Sequence, residues 1–363
     1  MERSLAGIAR PRPFLRRPIR FTGESVAAYV CRLIAYALGL TGFAALAAGL
    51  VLVPILVPAA APRNAEAVLF AVPAGSSAAD IGRLLQESGL IRNGRHFELV
   101  SRIMGLDARL QAGDYLLSAD MDLLTIVRRL EAGQVHTVRV TVPEGLHLRQ
   151  IADLLAHQGL VDRERFLALA SDESLIYGSH PPIDKPVRSL EGYLFPDTYL
   201  LSPSMTEEQI IRRMVSRFLE VAMPVINSTT APLGLSPHEV VTLASIVEAE
   251  ALYAREHPII ASVFLNRLRV NMPLQADPTI NYLFDEHRSR ILYADLAIDS
   301  PYNTYLYRGL PPGPIGSPGL SAIRGVLEPA NTDYYYFVAR GDGTHIFTRT
   351  FNEHVRARQQ VQR

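Results

Sequence analysis

Two carboxylates near the end of one apolar segment are the side chains of this sequence best suited to proton chemistry. Ser236-Pro237-His238-Glu239 is a helix start: Ser236 can cap, Pro237 suits the first helical position, and Glu239 completes a capping box. The helix then runs Val240-Val241-Thr242-Leu243-Ala244-Ser245-Ile246-Val247-Glu248-Ala249-Glu250-Ala251. On a wheel of about 100° per residue with Val240 at the origin, Leu243, Ala244, Val247 and Ala251 cluster within about 60° of it. Glu248 falls at about 80° and Glu250 at about 280°. Both flank the apolar stripe, and neither lies on the polar side around Thr242 and Ser245. A carboxyl in apolar surroundings is desolvated in its charged form, so its pKa rises. That makes each a candidate general acid near neutral pH. The competing reading is a structural pair with Arg255 or Arg267, and the wheel does not choose between Glu248 and Glu250.

A second cluster is Leu190-Glu191-Gly192-Tyr193-Leu194-Phe195-Pro196-Asp197-Thr198-Tyr199, two carboxylates among three aromatic rings. Such a group suits a sugar, whose C–H faces stack on rings while its hydroxyls bond carboxylates; the alternative is ordinary core. Other chemistries are excluded. The single cysteine, Cys31, allows neither an internal disulfide nor a thiolate zinc cluster. There is no GxxxxGK[ST], HExxH or GxSxG, and no two of the ten His stand four apart. No cofactor or metal is expected. Basic and acidic residues balance at 36 each, but seven Arg against two Glu fall in residues 1–32. The rest is therefore mildly acidic, with no footprint for nucleic acid.

The elements that must position these groups read as α+β. Val72-Pro73-Ala74-Gly75 returns as Val142-Pro143-Glu144-Gly145 at an offset of 70, together with Ile81, Leu84, Leu85, Gly89 and Leu90 as Ile151, Leu154, Leu155, Gly159 and Leu160. Tyr115-Leu116-Leu117-Ser118 returns as Tyr199-Leu200-Leu201-Ser202 at an offset of 84. The second copy thus carries about 14 extra residues between Leu160 and Tyr199. Each copy reads strand, Gly turn, amphipathic helix, second helix, short extended piece, further helix. Beyond Glu250, a helix is expected from Pro258 to before Pro273, then a polar turn over Met272–Thr279. A stiff loop follows over Gly309–Gly319, too rich in Pro and Gly for a helix or central strand. Tyr334–Ala339 and His345–Thr348 flank Arg340-Gly341-Asp342-Gly343 as a hairpin, and Asn352–Gln362 closes the chain as a helix.

Leu33–Ala61 carries no charge over 29 residues, longer than the roughly 20 apolar residues that cross a bilayer. It is about twice a signal-peptide core. The Arg-rich tail before it predicts a cytoplasmic N-terminus and an extracytoplasmic body on the plasma membrane.

The blocks Ala244-Ser245-Ile246-Val247-Glu248, Leu190–Tyr199, Ala261–Thr279, Tyr302–Gly319 and Tyr336–Phe347 occur in one order. In that order they resemble the endolytic murein transglycosylases, the MltG/YceG-like family. The resemblance implies a cytoplasmic tail (1–32), a transmembrane helix (33–58) and a LysM-like module (66–135). An α+β catalytic domain follows (136–363, with 136–220 related to the first module). It implies cleavage of MurNAc–GlcNAc bonds in nascent peptidoglycan strands to 1,6-anhydro ends, terminating elongation, with peptidoglycan synthases as candidate partners. It implies Glu248 as the catalytic acid. As cleft lining it implies Glu191, Tyr193, Phe195, Asp197, Asn266, Gln275, Asp277, Tyr302 and Asn303. The alternative is a non-catalytic, membrane-anchored glycan-binding protein.

Overall fold

A computed structural model describes residues 26–56, 58–59, 66–286, 288 and 290–361. Residues 1–25 of the expected Arg-rich tail lie outside the described residues. Helix α1 spans Val26–Leu56. Then come β1 (Val68–Val72), α2 (Ala78–Glu87), α3 (Gly94–Ile103), β2 (Gly113–Leu117), α4 (Leu123–Glu131), β3 (Val138–Thr141) and α5 (Leu148–His157). The chain continues through α6 (Arg163–Ser171), α7 (Ser174–Tyr177), β4 (Thr198–Leu201), α8 (Glu207–Ser228), α9 (Pro237–Glu250) and α10 (His257–Arg269). It closes with α11 (Asp277–Asn281), α12 (Leu320–Leu327), β5 (Tyr336–Ala339), β6 (His345–Thr348) and α13 (Phe351–Val361). The architecture is mixed α+β and mostly helical. Among the described residues the strands form three two-stranded sheets, β1–β2, β3–β4 and β5–β6.

The chain divides into two compact units, and the segment 66–135 is shared between them. The smaller holds α1, α2, α3 and the first part of α4. Within α1, Ala28–Leu46 is long and apolar enough to cross a membrane, an anchor or a signal sequence by that criterion alone. In the same unit α2 and α3 touch backbone to backbone, because a Cβ on Gly82 would collide with Gly94 O. Gln86 Oε1 accepts the Gly94 N–H at 2.7 Å across that contact.

The larger unit holds β1, β2 and everything from Arg129 onward. The internal repeat is visible in its caps and turns. Ser77 caps α2 in a capping box with Asp80, and His147 caps α5 in one with Gln150. Gly75 and Gly145 turn at φ 80° and 81°, Gly89 and Gly159 both at 69°. Tyr115 donates to Gln111 O and Tyr199 to Phe195 O, the same four-residue reach in both copies. The extra residues of the second copy lie between α6 and β4. They are anchored by Lys185, buried against the Glu173 carboxylate and the Val187 carbonyl.

Antiparallel β3–β4 pairs Val138 with Leu201 through Thr141 with Thr198. Helix α9 forms as its start signals require: Ser236 Oγ accepts the Glu239 N–H, and Glu239 accepts the Ser236 N–H at 2.8 Å. Its surroundings differ from the wheel. His238 and every residue from Val240 to Val247 are buried, so α9 has no polar side. Thr242 donates to His238 O and Ser245 to Thr242 O, which satisfies both hydroxyls inside the core. The helix is the central strut of the unit, packed by α8, α10 and α12, and it reaches the surface only at its two ends. The β5–β6 hairpin forms where expected, with Phe337 edge-on to Phe264 of α10 at 5.8 Å.

Candidate active site

The last turn of α9 carries Glu248 and Glu250 out of the core, and two loops frame it. One is the Val142–His147 turn of the second repeat copy. The other is the Pro/Gly-rich loop, which is ordered as expected. They clasp each other: Gly145 N–H donates to Ser317 O and Ser317 N–H to Leu146 O, both at 2.8 Å. Gly316 must lack a side chain, because a Cβ there would press on Gly145 O. Ile315 N–H donates to Ser245 Oγ at 3.0 Å, tying the loop to α9 three residues before Glu248.

Glu248 is half-buried in this frame. Gly319 N–H donates to its Oε2 at 3.0 Å, and a Cβ on Gly145 would lie 3.6 Å from its Cγ. Burial pushes its carboxyl up to about 7; the Glu144 charge adds to the rise, and the Gly319 N–H opposes it. Glu250 is also half-buried by exposure, yet burial pushes its carboxyl up to about 8, with the Asp277 charge adding and Arg267 opposing. The two carboxylates differ in place. Glu250 lines a cavity of about 540 Å³ with Ala249, Gly145, His147, Asp277 and Tyr282. Glu248 sits behind Gly145 with a fixed backbone donor. His147 is held neutral: burial and the nearby Arg149 lower its pKa to about 4. Its Nδ1 accepts the Gln150 N–H, so its proton is on Nε2. Among the described residues no three His, Cys, Asp or Glu converge as metal ligands.

The expected cleft lining divides. Asp277 lines the cavity and accepts from the Tyr305 hydroxyl at 2.5 Å. Glu191 is buried behind it: its carboxylate accepts the Leu148 N–H at 3.0 Å and the Tyr282 hydroxyl at 3.2 Å, and burial pushes it up to about 8. Tyr302 packs its ring 5.0 Å from that of Tyr282.

The aromatic insertion is core and offers no stacking platform. Tyr193 is 1% exposed, edge-on to Phe218, with its hydroxyl 2.7 Å from His238 Nδ1. Phe195 is buried on Phe218 as well. Asp197 accepts from Arg217 Nε at 2.6 Å, which holds its carboxyl below the usual range against the raising effect of burial. Asn266 donates to the Thr332 and Tyr334 carbonyls, and Asn303 to those of Leu296 and Ile298. Those amides brace loops. Gln275 is exposed in a left-handed turn at φ 47°. Glu144, His147, Gln150, Asn281 and Tyr282 were not singled out by the sequence reading. The usable signal was the repeat itself, which sets Glu144 where the first copy has Ala74.

Comparison with known proteins gives a consistent picture. The YceG-like family matches residues 70–360. The endolytic murein transglycosylase of Bacillus subtilis 168 is 37% identical over 300 residues, covering 79% of this chain and 83% of that protein. The endolytic murein transglycosylase of Streptococcus pneumoniae R6 is 34% identical over 299 residues, covering 75% of this chain and 54% of that protein. The chain thus spans about half the length of the pneumococcal relative. The crystal structure of a YceG-like protein from Listeria monocytogenes superposes with a TM-score of 0.54 at 35% identity, over 81% of this chain and 99% of that one.

Proposed function

This chain belongs to the YceG-like family, and from that premise we propose that it is a membrane-anchored lytic transglycosylase that cuts peptidoglycan strands internally, with Glu248 as its acid. The observation that carries the reading is the Glu248 carboxyl. It is half-buried, held by the Gly319 N–H, and pushed up to about 7 beside an open cavity. A hydrolase uses two carboxyl groups, one of them to activate water or to attack. A lytic cut needs one. Glu248 gives its proton to the glycosidic oxygen as the C1–O bond of MurNAc breaks. The resulting carboxylate takes the proton of the same sugar's C6 hydroxyl, and O6 closes on C1. The products are a free GlcNAc hydroxyl and a 1,6-anhydroMurNAc end; no water enters, and Glu248 is protonated again. The nucleophile is part of the substrate, and such proximity can replace much of the barrier.

The finer reading follows the same chemistry. Helix α1 anchors the protein, with the Arg-rich tail inside and the body outside. The segment 66–135 acts as a LysM-like glycan binder. An internal cut in a nascent strand ends its growth, which puts the enzyme beside the peptidoglycan synthases. Purified glycan strands digested with the full-length protein test the activity. Anhydro-ended fragments of intermediate length are expected. Binding without product would leave the glycan-tether reading in its place, and reducing ends formed with water would make it a hydrolase.

A further inference from the structure

We propose that Glu144 is a positioning residue for the catalytic proton, an anion that the clasp between the second-copy turn and the Pro/Gly-rich loop brings beside Glu248. This rests on the reading of Glu248 as the acid. The two carboxylates converge on one residue, Gly319. Its N–H donates to Glu248 Oε2 at 3.0 Å. The space its Cβ would fill is taken by the Glu144 carboxylate. Glycine is not needed there for conformation, since φ is −75°; a Cβ there would displace the Glu144 carboxylate.

The backbone on both sides of Glu144 is held. Val142 N–H donates to Asp197 O at 2.9 Å, and Gly145 N–H to Ser317 O at 2.8 Å. Yet its own side chain is exposed and makes no hydrogen bond or ion pair among the described residues. The turn does not require the carboxylate: the first repeat copy keeps the same Pro and Gly and has Ala74 at this position. A carboxylate placed without a cation, against a second carboxylate, raises the cost of ionising its neighbour. That field keeps the proton on Glu248 until the leaving oxygen takes it. The other charged or titratable groups at this end act elsewhere. Asp277 and Arg267 bear on Glu250, Arg149 and Asp153 on His147, and Arg288 is paired with Asp295. Arg290 lines the cavity.

The test is the pH dependence of kcat/KM on purified glycan strands, with the full-length protein in detergent. Wild type should lose activity as pH rises through about 7. In Glu144→Gln that limb should move to lower pH by roughly half to one unit, the size expected for two unit charges several ångströms apart in a half-solvated site. Activity at pH 7.5 then falls several-fold while activity at pH 5.5 stays within about twofold. Glu144→Asp keeps the charge and should restore the limb. An unshifted limb in Glu144→Gln, or an equal loss at every pH, overturns the proposal, because a merely structural role does not depend on pH. Glu248→Gln in the same assay separates the two claims. If it retains activity, the acid assignment falls and Glu144 falls with it; if it is inactive while Glu144→Gln is unshifted, only the role of Glu144 fails.

Discussion

Gly192→Ala is the sharpest test of how the aromatic insertion supports the acid. Gly192 sits between Glu191, which holds the start of α5, and Tyr193, which is in the core. Its φ is 85°, where an L side chain costs roughly 1–2 kcal/mol. A Cβ there would also run into the Pro314 ring, with Val241 Cγ1 of α9 3.3 Å away on the other side. Neither neighbour can swing clear: one is a ring in the clasped loop, the other a buried residue of the central helix. Overpacking of that kind costs about 1–3 kcal/mol, which brings the total to about 2–5 kcal/mol. At ~2–4 °C per kcal/mol for a domain of this class, the melting temperature should fall by roughly 4–20 °C. Gly159→Ala is the matched control, since its φ is 69° but nothing lies within 4 Å of its Cβ. Thermal unfolding of both variants by circular dichroism isolates the contact. If Gly192→Ala melts together with Gly159→Ala, the insertion is not wedged against Pro314 and α9 as described.

Three further outcomes are expected. Gly319→Ala should displace the Glu144 carboxylate without backbone strain, lowering activity at pH 7 by roughly two- to fivefold while unfolding changes little; full activity would contradict it. Folded-state stability should fall as pH rises from about 6.5 to 8. The Glu191, Glu248 and Glu250 carboxyls, raised to about 8, 7 and 8, hold protons there that the unfolded chain has already released. His147, lowered to about 4, gives the opposite slope, but that ends near its ordinary value of 6.5. Melting temperatures across the window should therefore decline, less steeply in Glu250→Gln, and a rise would refute the assignment. A reporter fused after Arg363 should behave as extracytoplasmic; a cytoplasmic reporter there, or a mature chain that begins after α1, would overturn the anchored topology.

Local rules made some features legible in the sequence. The α9 start could be read because Ser236, Pro237 and Glu239 act within one turn. The repeat could be read because Gly75 and Gly145 meet the same backbone demand. Other features depended on distant partners. The wheel assigned α9 a polar face because Thr242 and Ser245 carry hydroxyls. Both return those hydroxyls to the helix's own carbonyls, so the helix is buried all round and the wheel has no solvent side to find. The rings of Tyr193 and Phe195 invited a sugar platform, but ring density is the same in a core, and Phe218 of α8, which claims them, lies outside the motif. Glu144 escaped notice because it meets Glu248 only over Gly319, through a contact between parts of the chain far apart in sequence.

The central claim is that one carboxyl, Glu248, moves the proton in a cut that needs no water. Glu248→Gln keeps size and hydrogen bonding but has no acidic proton, and losing general acid catalysis costs about 10²–10⁴-fold or more. Glu250→Gln, two residues along on the same turn, loses a carboxyl that burial raises still further. The measurement is the yield of 1,6-anhydro ends from purified glycan strands with each full-length variant. The account predicts essentially none from Glu248→Gln and most of the wild-type yield from Glu250→Gln. Equal losses, or a loss confined to Glu250→Gln, would contradict it.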